Sequence, residues 1–132
     1  MQSTLSTPPK PERRRRRADL ITQALNYQLL ACCEDGGVHA MVVADEDGLR
    51  LASSGDCQAC DEVAATMVQL GARTHAFSGT LLRRGQRWDV DMTRIIVDGI
   101  PLLVYAVGGT AEQRAHQIAR GAQGTLRILG AA

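Results

Sequence analysis

Apolar positions set the elements. Between Ala18 and about Asp35, Ile21, Ala24, Leu25, Leu29 and Cys32 recur at helical spacing, with Gln28 as one polar exception, and Gly36-Gly37 supplies a stop. Val38 to Asp45 is almost continuously apolar, the pattern of a strand covered on both faces. Asp45-Glu46-Asp47-Gly48 then turns the chain into a second strand, Leu49 to Ser53. Asp56 is placed to cap a second helix from Cys57 to about Ala76. Phe77 to Arg84, Trp88 to Val97 and Leu102 to Val107 read as three more strands. Gly85-Gln86 and Asp98-Gly99-Ile100-Pro101 separate them, short links that imply an antiparallel meander. The alternation at Trp88, Val90 and Met92 gives way to unbroken Ile95-Ile96-Val97, so that strand is expected to be half exposed early and covered late. Thr110 with Gln113 forms a capping box for a third helix, whose expected buried stripe is Ala115, Ile118, Ala119, Ala122, Leu126 and Leu129. The order is αββαβββα, an α+β domain.

Charge divides the 132 residues into two parts. Residues 1–17 hold Lys10 and Arg13–Arg17 against Glu12, a net +5. The overall +1 therefore leaves −4 on the other 115 residues. Three of four prolines and no apolar periodicity mark 1–17 as a disordered basic arm, ahead of a single domain over 18–132. With 45% hydrophobic residues, no apolar run long enough to span a bilayer and no signal-peptide core, a soluble cytoplasmic protein is expected. Lys10 is the only lysine. P-loop, Schiff-base and kinase-type lysine chemistry are thereby excluded from the folded part.

The strand–Asp-x-x-Gly–strand hairpin within Ala40 to Ser53, the Ala-rich helix segment Asp61 to Leu70, and Ile95 to Gly108 together resemble the Roadblock (dynein light chain) family. The likeness is to its bacterial members, the gliding-motility GTPase regulators, and runs from about Ala18 to Leu129. It implies a Roadblock-like (profilin-like) five-stranded antiparallel sheet of order 2-1-5-4-3, with the second helix on one face and the first and third on the other. It also implies a homodimer in which second helices pack together and third strands pair across the two-fold axis. Such a dimer is a non-catalytic activator or scaffold for a small Ras-like GTPase, linked in those relatives to cell polarity and motility. No cofactor or small-molecule substrate is implied.

The residues themselves favour a dimer. The second helix has one apolar face through Cys60, Val63, Ala64, Met67, Leu70 and Gly71, and beside it a small-residue face of Ala65, Val68 and Ala72. One sheet contact needs only the first; the alternative is that the alanines are good helix formers on an exposed surface. Leu81 and Leu82 on the third strand would make an unpaired edge adhesive, with Arg83 and Arg84 as guards.

Chemistry is sparse. Cys57-x-x-Cys60 at a helix start is a metal or redox candidate, with Cys32, Cys33 and His39 as further possible ligands. The competing reading is that Cys32 and Cys60 are small buried hydrophobes. The hairpin returns its second strand beside the start of its first, so all four cysteines could lie at one end of the sheet; helices on opposite faces, as the resemblance implies, argue against a closed four-thiolate zinc site. His39, His75 and His116 make no ligand pair, Asp45-x-Asp47 lacks the rest of a calcium loop, and Asp89 with Asp91 can be an acid–base pair or a solvated face. Gly108-Gly109-Thr110 can cradle an anion. A non-enzymatic, GTPase-binding homodimer is therefore expected. The alternatives are a thiol or zinc module using Cys57 and Cys60, and an electrostatic adaptor whose Arg13, Arg14, Arg15, Arg16 and Arg17 engage nucleic acid or anionic membrane.

Overall fold

The computed structural model describes residues 10–66, 74–83 and 85–130. Its elements are α1 (Lys10–Gly36), β1 (Ala40–Asp45), β2 (Arg50–Gly55), α2 (Cys57–Thr66), β3 (Ala76–Arg83), β4 (Gln86–Val97), β5 (Ile100–Val107) and α3 (Ala111–Gly130). All neighbouring strands are antiparallel, in the order β2-β1-β5-β4-β3.

Strand alternation splits the core in two. Val42 of β1 and Leu103, Tyr105 and Val107 of β5 point to the side where Ala59, Cys60 and Val63 bring α2 down. Met41 and Val43 point to the other side, with Leu102, Val104 and Ala106, beneath Leu25 and Leu29 of α1 and Ile118 of α3. The α2-versus-α1/α3 layering is thus the one the resemblance implies.

Local chemistry closes the elements as the sequence suggests. The Asp56 carboxylate accepts the Ala59 amide at 3.0 Å, capping α2. Thr110 and Gln113 exchange the two capping-box bonds, 3.1 and 2.8 Å, at the start of α3. Asp45 Oδ1 accepts the amides of Asp47 and Leu49, both at 2.9 Å, so it serves the hairpin turn and not a calcium loop.

Four details differ from the sequence reading. Helix α1 begins at Lys10, not Ala18, so the arginine run is helical; residues 11–20 are all exposed, and arginine's good helix propensity lets the helix continue past the last residue that packs. Asp98 and Gly99, both with positive φ (51° and 81°), make a two-residue hairpin, and β5 therefore starts at Ile100. Pro101 is tolerated because β1 ends opposite Leu102, where its absent amide costs no ladder bond. The same overhang leaves Ile96 exposed instead of covered. Finally, α3 is rotated about its axis: Arg114, Gln117, Ile118, Gly121, Gly124 and Thr125 are buried, while Ala115, Ala119 and Leu126 face outward. Gly121 and Gly124 explain the rotation. A β-carbon on either would lie within 2.8 Å of Met41 or 2.4 Å of Gln28, so this face permits the closest approach to sheet and α1.

Gly55, where β2 leaves the sheet, has φ +98°, and a β-carbon there would stand 2.1 Å from the His39 carbonyl oxygen. Gly55→Ala is expected to lower unfolding free energy in urea by at least about 2 kcal/mol, against near neutrality at the exposed, uncrowded Gly130→Ala.

Candidate interaction surfaces

The sheet has two edges, and they are finished differently. At β2, Asn26 of α1 accepts the Ser53 amide at 3.1 Å. The thiols of Cys33 on α1 and Cys60 on α2 both approach the Ser54 carbonyl oxygen, at 3.7 and 3.6 Å. Arg50 of β2 reaches Asp61 of α2 at 2.9 Å. Helices from both faces therefore close around this edge. The hairpin thus brings Cys33 and Cys60 to one end of the sheet, as its geometry suggests, and they share the Ser54 carbonyl because β2 is the outermost strand and both helices overhang it.

This arrangement holds Cys33 and Cys60 in the packing around β2. Burial pushes the Cys33 thiol up to about 11 and raises Cys32 and Cys60 as well. Cys32 lies in the core beside Gln28, Cys57 is exposed, and all four are free thiols. His39 is exposed and lies over Gly108. Among the described residues no group of three or more His, Cys, Asp or Glu side chains is placed to hold a metal ion.

At the other edge, β3 pairs with β4, and among the described residues no strand lies on its outer side. The register, with Arg83 opposite Gln86 and the Arg94 amide on the His75 carbonyl at 2.8 Å, turns the main chain of Ser78, Thr80 and Leu82 outward. Leu82 is 71% exposed, whereas Leu81 is 8% exposed and packs into the α2-side core with Phe77 and Trp88. Ala65 is exposed at the end of α2. Val68 and Ala72 lie outside the described residues, as does Arg84.

Behind this edge lies a polar ladder that the sequence reading missed. Arg114 of α3, only 8% exposed, donates to Asp91 at 3.1 Å and to the carbonyls of Gly109 and Gly108 at 2.8 and 3.3 Å. The Ser78 hydroxyl also donates to Asp91, and Thr80 to Asp89 at 2.9 Å. The Thr80 hydrogen bond, with Arg87 and Arg114 nearby, holds the Asp89 carboxyl below its usual value. Asp89 and Asp91 thus tie β3, β4 and α3 together. The Gly108-Gly109 carbonyls face Arg114, so this loop holds a cation of its own chain and not an anion. One signal for Arg114 was available: it lies one helical turn before Ile118, on the same side of α3.

The strand order and layering decide the comparison with known structures. The chain has a Roadblock-like fold of the MglB type. Myxococcus xanthus MglB matches with a TM-score of 0.59 and 13% identity, over 82% of this chain and 96% of that one. A structure described as MglB with tetrameric arrangement matches at 0.53 and 15% identity, over 99% and 98% of the two chains. The Escherichia coli DhaR(N)–DhaL complex matches at 0.52 and 14% identity, over 96% of this chain and 53% of that one. No family model and no curated protein matches the sequence. No described helix of this MglB-like fold is long and apolar enough to cross a membrane.

Three outcomes follow. Arg114→Met strands Asp91 at 14% side-chain exposure and is expected to cost about 3 kcal/mol in urea unfolding, far more than Arg87→Met at the surface. In the folded protein Cys57 is expected to react first with a thiol reagent, with Cys32, Cys33 and Cys60 modified only on unfolding. Because the folded Cys33 value is raised, its contribution to stability is complete below pH 9 and is lost as pH rises toward about 11; Cys33→Ala should flatten that alkaline decline.

Proposed function

We propose that the protein is a non-catalytic, homodimeric regulator or scaffold that binds a small Ras-like GTPase in the cytoplasm. The single observation that carries this is the Roadblock-like sheet with one edge wrapped by helices and the other, β3, with no strand on its outer side among the described residues. A second copy placed along β3 would satisfy the outward amides and carbonyls of Ser78, Thr80 and Leu82 and cover the exposed Leu82 side chain. Ala65, with Val68 and Ala72 beyond it in sequence, supplies the small-residue surface on which second helices would cross. Leu81 contributes through its main chain's place in that strand, its side chain being spent on the protomer core. The MglB name of the structural neighbours supports GTPase regulation as the use of such a platform, with activation or scaffolding as its mode.

The dimer is expected to have a mass of about 28 kDa, twice the 14.2 kDa chain, in sizing with light scattering. Ala65→Glu or Val68→Glu should return it to the monomer by burying unpaired charge. The dimer should bind a small Ras-like GTPase of the same organism differently in its GDP and GTP-analogue forms. A wild-type monomer at micromolar concentration, or binding indifferent to nucleotide, would contradict the proposal.

A further inference from the structure

We propose that the outer stripe of α1 is a docking surface for an anionic lipid bilayer, on which the helix lies flat without crossing. Leu25, Leu29 and Cys32 fix which side of α1 is inward, all at most 1% exposed. On the opposite side Leu20 is 65% exposed, Tyr27 70% and Leu30 39%, at spacings of seven and three residues that put them in one row. The row continues one and two turns earlier into Arg16 and Arg13, within the wholly exposed stretch 11–20. Arg16 meets Glu12 only at 3.9 Å, with both side chains more than half exposed, a contact too weak to neutralise the run.

A large leucine and a tyrosine exposed in line with arginines match one kind of partner closely. A bilayer surface offers phosphate for the guanidinium groups and, immediately beneath it, hydrocarbon for Leu20 and Leu30. Tyr27 suits the boundary, with its ring inward and its hydroxyl in the headgroups. Nucleic acid would satisfy the arginines and leave the leucines against water. A second copy paired in parallel would set two arginine runs side by side. Either signal alone binds weakly, whereas basic charge and apolar insertion together give stable attachment. No described helix is apolar enough to span, so the helix rests on the surface.

Flotation of the full chain with phosphatidylcholine vesicles, with and without phosphatidylserine, tests this. Binding is expected only with phosphatidylserine. Replacing Arg13, Arg16 and Arg17 together by Gln, or raising salt, should weaken it about tenfold or more. Leu20→Ser with Tyr27→Ser should also weaken it about tenfold while leaving the salt dependence intact, with helix content unchanged by circular dichroism. The proposal is overturned by absence of binding to phosphatidylserine vesicles. It is equally overturned by Leu20→Ser/Tyr27→Ser binding as wild type, by that variant changing the oligomeric mass, or by tighter binding to duplex DNA than to vesicles at equal salt. GTPase binding is measured without vesicles, so the two proposals fail separately.

Discussion

Strand β5 must be covered on both faces, and the rest of the molecule follows from that. Leu103, Tyr105 and Val107 face one side and Leu102, Val104 and Ala106 the other, all nearly inaccessible. A single helical layer would leave half of this surface wet, forfeiting on the order of 1.5–3 kcal/mol per large side chain. With β1 and β4 as its neighbours, β5 becomes the centre of the sheet, and the chain needs α2 on one face and α1 with α3 on the other. The glycines of α3 answer the same demand, letting two helices share a face that is otherwise too narrow for both.

The described helices do not cover the five strands evenly. Their coverage converges on β2, where Asn26, Cys33 and Cys60 engage the outer strand from both sides, whereas β3 has, among the described residues, a strand partner on one side only. A sheet with one finished and one open edge is a building block, and its exposed main chain is a directional surface for another chain. The buried Arg114–Asp91 pair belongs to the same scheme, since it fixes β4 to α3 and, through Ser78, steadies the edge strand. Such a device serves geometry more than raw stability.

Element order was legible because β1 and β5 are uniform apolar runs and because caps and turns carry explicit signals at Asp45, Asp56 and Thr110, whereas the layering came with the family resemblance. The sheet order was available only through the family resemblance. Rotation of α3 was not legible: counting apolar residues favours Leu126, whereas packing favours the absence of a side chain at Gly121 and Gly124. Arg114 escaped for a related reason, since periodicity treats a buried arginine as an error and cannot see the carboxylate and carbonyls waiting for it. The start of α1 was misplaced because proline and charge read as disorder while arginine sustains a helix. That Cys33 and Cys60 come to one end of the sheet was legible from the hairpin; that they share one carbonyl of β2 depends on β2 being an edge, a fact of topology and not of spacing.

Amide hydrogen exchange followed as a function of protein concentration tests the claim that β3 is the edge kept for another chain. The outward amides of Ser78, Thr80 and Leu82 should gain protection as concentration rises, while that of Ser53, already bonded to Asn26, stays protected throughout. Rapid exchange at Ser78, Thr80 and Leu82 at every concentration, with Ser53 equally labile, would contradict it.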